Sequence, residues 1–298
     1  MWKPGLPFFA ALFAVSTACL GSSLGASEEL PWELADQGWR TDDAWYDGQA
    51  EVATYAAVRV IYGRERIYEA RAYTNKQVMD PSTTTKSGGG DGVEVFKHHW
   101  SERAPTERYD YDFSTASFVR SEDLRTYKVT ASTQEDCGAS FKQLWEDGGG
   151  WNGLESVYFP DGGTDTFRRN GAMPMPEDAL TLVLRDLARA AEAGDGLLEP
   201  LEFQMLPSQR DTHRVPFDPV DVRVRHLGPE TVQVPAGSIA CHAFTLESDG
   251  GDERARFWFA ADGGAPLLHA LVRYEGADGL RFELTDLQRY PYWARGPR

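Results

Sequence analysis

The sequence predicts a mainly β protein: a large curved antiparallel sheet or half-open barrel with one packed α-helix. Three observations carry this expectation. Over residues 220–287 apolar and polar residues alternate through five short runs, Val220/Val222/Val224, Val232/Val234, Phe244/Leu246, Phe257/Phe259 and Leu280/Phe282/Leu284, which is the period of half-buried strands. Gly228-Pro229, Pro235-Ala236-Gly237, Asp249-Gly250-Gly251 and Gly276 separate the runs as turns. Over residues 177–193 the apolar spacing changes to the helical period. No repeat of fixed length indicates a solenoid or propeller, so the strands are expected to share one sheet system.

Taken in order, the chain opens with Lys3, an apolar run over residues 6–20 and the small residues Gly21, Ser22, Ser23, Gly25 and Ala26. This is the pattern of a secretory signal peptide, assigned to residues 1–26. The run is shorter than the ~20 apolar residues of a membrane-spanning helix. Export to the periplasm or cell envelope follows from this reading. Cleavage after Ala18 would leave Cys19 as a lipid-anchored first residue; cleavage after Gly25 or Ala26 would remove it.

Residues 27–43 form a polar lead-in, and Trp32, Trp39 and Trp45 are expected to dock their rings on the main body. A single β-rich domain over residues 44–293 follows, with a tail at 294–298. Residues 50–61 and 66–74 read as a hairpin about Gly63. Residues 79–92 contain Asp80-Pro81, a run of hydroxyl residues and Gly88-Gly89-Gly90, and are expected to be a mobile loop. Strands are expected again at 93–99, 106–113, 125–133, 141–145 and 155–159. Pro176 in the first turn, Glu177 and Asp178 at the positive end of the dipole, and Gly194 beyond the last apolar position delimit the helix. Its stripe of Leu180, Val183, Leu184, Leu187 and Ala191 must be buried, and the concave side of the sheet is where that can happen.

The formal charge is −16, one more negative once Lys3 leaves with the leader. That disfavours nucleic acid and anionic head groups as partners. With 41% hydrophobic residues, 15 Phe and 12 Tyr, a substantial core is available.

No motif carries catalysis. There is no Gly-x-Ser-x-Gly and no Gly-rich loop before Lys-Ser or Lys-Thr. His98 and His99 are adjacent in a strand and point to opposite faces, and His213, His226, His242 and His269 lack metal-ligand spacing. His242 shares strand parity with Phe244 and Leu246 and is expected to be half-buried with one hydrogen-bond partner. Asp42-Asp43 and Asp110/Asp112 are unremarkable among 46 carboxylates, and Asp161-Gly162-Gly163-Thr164-Asp165 is the best calcium candidate. No cofactor is implied. Cys137 follows Glu135 and Asp136, whose charges oppose a reactive thiolate. After export Cys137 and Cys241 remain, and a disulfide between them is expected, closing a loop of about a hundred residues for about 4.7 kcal/mol; the alternatives are two buried thiols or one reactive thiol. Alternation places Cys241 opposite Phe244 and Leu246, so the bridge would lie on the outer side of the sheet.

Trp45-Tyr46-Asp47-Gly48-Gln49-Ala50-Glu51, with Thr54-Tyr55 and Tyr62-Gly63, and Ser132-Thr133-Gln134-Glu135-Asp136-Cys137-Gly138 resemble an uncharacterised family of exported bacterial proteins. Members of that family read Trp-Tyr-Asp-Gly-Lys-Ala-Glu and Ser-Ser-Gln-Glu-Trp-Cys-Gly; here Asp136 replaces the tryptophan and Thr133 the serine. Val232-Gln233-Val234-Pro235-Ala236-Gly237-Ser238 is similar to the Val-Pro-Ala-Gly-Thr-Phe strand start of a second exported family, whose resemblance implies a sheet curved like the periplasmic lipoprotein carriers. Neither resemblance supplies a catalytic residue. The expected function is therefore non-enzymatic binding of a lipid-like ligand or an envelope partner on the concave face. The alternatives are an envelope hydrolase using Cys137 or a carboxylate pair, and a purely structural envelope component.

Overall fold

In the computed structural model, which describes residues 32, 34, 38–194 and 199–294, strand β1 (Ala50–Ile61) turns at Tyr62 and Gly63 into β2 (Arg64–Asp80). Both turn residues have positive φ, 53° and 70°, the two-residue geometry whose twist matches that of the flanking strands. Antiparallel pairing then continues through β4 (Val93–Pro105), β5 (Asp110–Arg120), β6 (Thr126–Glu135), β7 (Gly138–Glu146), β8 (Gly150–Val157) and β9 (Gly163–Asn170). The short β3 (Thr85–Lys86) folds back on the end of β2, so the segment expected to be only a mobile loop contributes a strand and extends β2 to Asp80.

The second half of the chain adds strands to the other side of β1. Strand β16 (Arg281–Tyr290) pairs with β1 in the register Ala50↔Tyr290, and outward from it lie β15 (Leu271–Gly276), β14 (Glu253–Ala260), β13 (Gly237–Ser248), β12 (Val220–Val234), β11 (Leu201–Leu206) and β10 (Met175–Pro176). The described residues thus form one sixteen-stranded sheet, antiparallel except where β10 runs parallel to β11. No helix among them is long and apolar enough to cross a membrane.

The runs read as two strands at 220–224 and 232–234 are one strand, β12, bent by a bulge between His226 and Gly228. Beyond that bulge Ala236 N donates to Leu284 O of β16, although β13, β14 and β15 lie between β12 and β16 in the sheet. The β12–β13 hairpin therefore folds across the sheet, and Trp258 Nε1 donates to Glu230 on the outer side. This covers Cys241. It is 1% exposed, and burial, then Glu230, push its thiol up to about 12.

The expected disulfide does not form. Cys137 is exposed in the β6–β7 turn and both cysteines are free thiols. Seven strands separate β6 from β13 in the sheet order, and Cys137 and Cys241 (paired with Ala260 at the end of β14) sit at opposite ends of their strands. A bridge requires Cα atoms within about 7 Å.

The helical segment follows the sequence expectation closely. A 3₁₀ turn at Glu177–Ala179 leads into α1 (Leu180–Val183) and α2 (Arg185–Ala193), and Gly194 closes it in the left-handed conformation with φ 79°. Leu180, Leu184, Leu187 and Ala188 pack with Tyr55, Trp100, Phe244, Phe257 and Phe282 of the sheet. Ala179, Leu182 and Val183 face a second cluster that contains Trp39 and Trp45 of the segment before β1, with Phe96, Val119 and Leu268. The helix thus lies on the concave side of the sheet, with lead-in tryptophans covering part of it. Residues 1–26, and with them the signal peptide and Cys19, lie outside the described residues, as do 295–298 of the tail and most of 27–37.

Candidate functional site

Strand alternation puts a mixed set of side chains inside the curved sheet. On β4, Phe96, His98, Trp100, Glu102 and Ala104 are all buried, and on β5 so are Tyr111, Phe113, Thr115, Ser117 and Val119. Aromatic rings form a continuous floor: Tyr55 stacks on Trp100 at 5.1 Å, Trp100 meets Phe282 at 4.7 Å, Phe282 meets Tyr274 at 5.7 Å, and Tyr274 meets Phe257 at 5.1 Å.

Set into this floor is Glu102, whose side chain is fully buried. It accepts from the Tyr68 hydroxyl and lies 3.4 Å from Arg59 and 2.9 Å from Arg210. Burial pushes its carboxyl up, but Arg210, Arg59 and Tyr68 outweigh that and hold it below the ordinary value. Glu51, Lys142 and Glu155 are likewise buried charges at core-facing strand positions. Glu51 accepts two hydrogen bonds from Arg185 of α2, at 2.9 and 2.6 Å.

Residues 207–219, between β11 and β12, run across this interior as a strap. Ser208 donates to Asp178 at 2.6 Å and Gln209 N to the same carboxylate at 2.8 Å. Lys142 Nζ donates to the carbonyls of Asp211 and His213, and Ser140 to that of Thr212. Arg214 reaches Glu155 at 2.6 Å, and Asp218 reaches Arg169 of β9 at 2.9 Å. The strap thereby ties the β11–β12 side of the sheet to β4, β7, β8 and β9. Phe217 is its buried apolar anchor, against Val129, Leu144, Trp151 and Leu206. Under the strap a void of about 30 Å³ remains between Trp100, Thr115, Glu177, Arg210 and Tyr274. At about 10–15 Å³ per water it has room for about two. Glu177 at its edge has its carboxyl raised by burial and by Asp178.

His98 and His99 lie on opposite faces, as their adjacency in a strand implies, and His98 bridges sheet and helix. Trp100 Nε1 donates to its Nε2 at 2.9 Å, which assigns the proton to Nδ1, 2.8 Å from the Thr74 hydroxyl; Thr181 of α1 lies 3.0 Å from Nε2. Burial holds this imidazole well below its usual range. His99, on the other face, bonds Ser114 at 2.9 Å, and burial followed by the Lys97 charge lowers it to about 4. Both rings are therefore neutral in the folded chain while their unfolded counterparts protonate near pH 6.5, so stability is lost as pH falls from about 6.5 toward 4. At about 1.4 kcal/mol per unit, reduced because the ring is partly exposed, His99 accounts for about 1–2 kcal/mol of the loss at pH 4.5. Urea unfolding of wild type and His99→Gln at pH 7 and 4.5 checks this: the variant is expected to lose that much less, and equal losses would remove His99 from the balance.

The other sequence candidates are dispersed. His242 is buried and its Nδ1 lies 3.2 Å from His226 Nε2, while His213 pairs with Thr212 and His269 with the Ala260 carbonyl. Cys137 donates to the Tyr109 hydroxyl at 3.7 Å, so its contact is a phenol rather than a base. Asp110 and Asp112 both face Arg103, at 2.7 and 3.8 Å. Asp42 accepts from Ala44 N as a cap. In the calcium candidate, Asp165 lies 3.6 Å from Arg214. Among the described residues no group of three or more His, Cys, Asp or Glu side chains is placed to hold a metal ion.

Sequence reasoning passed over Glu51, Glu102, Lys142 and Glu155. The available signal was parity: Glu102, Lys142 and Glu155 are charges at strand positions whose neighbours two residues away on both sides are buried, and Glu51 shares its face with buried Ala53 and Tyr55. Comparison with family models, curated proteins and solved structures finds no match to the chain.

Proposed function

We propose that this chain is an exported, non-catalytic binding protein that takes up a hydrophobic ligand, or the apolar segment of an envelope partner, on the concave side of its sheet. One observation carries the reading: beside the helix, the Trp100–Phe282 part of the aromatic floor is covered by a strap that charge and hydrogen bonds hold in place, with Phe217 anchoring it in a neighbouring apolar cluster. A segment so held exchanges polar contacts for water when it lifts, at modest net cost per bond of about 0.5–1.5 kcal/mol. What it uncovers is the part of the aromatic floor that the helix does not cover, at Trp100 and Phe282 beside Arg210, a surface suited to an apolar ligand. The remaining void is too small for such a ligand, so uptake requires the strap to move, and apparent affinity is reduced by the fraction of molecules in which it is open.

Titration of the full chain with an uncharged, environment-sensitive hydrophobic fluorophore tests this. Saturable binding is expected in wild type, and Phe217→Ala is expected to tighten it at least about tenfold by favouring the open strap. No saturable binding in either protein, with both folded by circular dichroism, would overturn the proposal. The hydrolase alternative has no comparable support, since Cys137 faces Tyr109 at the sheet's edge and the carboxylate pairs are occupied by caps or arginine.

A further inference from the structure

We infer that the ligand of the concave face carries a cationic head of the guanidinium or ammonium class, and that Arg210 of the strap occupies its seat as a built-in surrogate. The inference rests on the reading of the concave face as a ligand site and specifies its chemistry. The seat is defined by what surrounds Arg210. Its guanidinium lies 2.9 Å from the fully buried carboxylate of Glu102 and 5.8 Å from the ring centres of both Trp100 and Phe282. A desolvated carboxylate beside a pair of aromatic rings is an arrangement that recognises organic cations.

Removing Arg210 from the balance leaves Glu102 with Arg59 and the Tyr68 hydroxyl, while Glu177, 3.5 Å from Arg254, and Asp178 stand at the edge of the same void, so three carboxylates face two guanidiniums. The vacated space is thus electronegative and aromatic-walled. A second observation is independent of those charges. The Thr115 hydroxyl, on a residue 2% exposed, lines the void and has no hydrogen-bond partner among the described protein groups, so water held in the void or a bound ligand must supply one. A buried hydroxyl without a partner is costly, and a bound ammonium or guanidinium N–H would satisfy it. The surface charge of the chain, −16, attracts cations to the protein and repels anionic amphiphiles. The strap is anchored to polar groups on both sides of Arg210, at Gln209 and at Asp211, so lifting it withdraws the guanidinium from the seat.

The test uses the full chain as wild type and as Arg210→Met, which keeps an apolar stem of similar length but vacates the charge. The probes are n-butylguanidinium, n-butanol and butyrate, read by thermal melting. In Arg210→Met, n-butylguanidinium is expected to bind at least about tenfold more tightly than n-butanol or butyrate and to raise the melting temperature at millimolar concentration. Glu102→Gln added to that variant is expected to abolish the preference. Wild type supplies the reading if Arg210→Met does not fold: n-butylguanidinium is expected to speed amide exchange of residues 208–218 several-fold, butyrate not at all, with helix amides unchanged. Equal binding of the three probes, or equal exchange with both ions, overturns the cationic seat and leaves the concave-face reading standing. Failure of every probe, together with failure of the uncharged fluorophore, overturns both.

Discussion

Replacing Arg185 with methionine is expected to cost about 3–5 kcal/mol, the range for breaking a buried ion pair by removing one partner. Arg185 and Glu51 are each 1% exposed and joined by two hydrogen bonds, one from each terminal guanidinium nitrogen. The pair ties α2 to the first strand of the sheet, and the guanidinium also lies 5.7 Å from the Trp39 ring centre. Without Arg185 the Glu51 carboxylate remains in an environment that cannot hydrate it, and its desolvation is left uncompensated. Removing both charges is different. The double variant Glu51→Leu/Arg185→Met buries no ion and is expected to recover most of the loss, because well-packed apolar replacements of buried pairs are often neutral or stabilising. Urea unfolding of the single and double variants measures the difference. A loss below about 1 kcal/mol in Arg185→Met would mean that Glu51 is hydrated and that the pair does not hold the helix.

Trp39→Ala is expected to destabilise the chain by about 3–5 kcal/mol, as for a large aromatic deleted from a core. Trp39 is 2% exposed, its ring stacks on Phe96 of β4 at 5.0 Å and meets Trp45 edge-on at 6.3 Å, and the Trp45 indole donates to its carbonyl. The same cluster takes Leu182 and Val183 from the helix. The lead-in and the helix therefore share one core. Chemical unfolding of Trp39→Ala should show the loss in a single transition. A cost below about 1 kcal/mol, or a separate early transition, would show that the lead-in is an appendage.

The polar interior is the part of the fold least legible in the sequence. Glu102 and Lys142 look like solvated residues in strands that alternate loosely, and only burial of both neighbours two positions away reveals them as inward-facing. Arg210 gave no signal at all, because the strap has no period and its position depends on Glu102 and Lys142, residues 108 and 68 positions earlier in the chain. Cys241 shows the reverse error. Alternation assigned its face correctly, but the outer face is covered there by a hairpin that folds across three strands, so a residue expected at a surface bridge is buried.

What the sequence by itself determined is the class of the protein and its elements: a mainly β chain, the Tyr62-Gly63 hairpin, and the helix over residues 177–193 with its cap at Gly194. These follow from periods of two and 3.6 residues and from turn chemistry, which act between near neighbours. The tertiary structure alone decided that β1 and β16 join the two halves into one sheet, that the lead-in tryptophans, expected to dock on the body, do so against the helix, and that a polar strap places Arg210 beside the helix over Trp100 and Phe282. Those outcomes depend on contacts between residues far apart in the chain, where packing and charge pairing choose among partners that local pattern leaves equivalent.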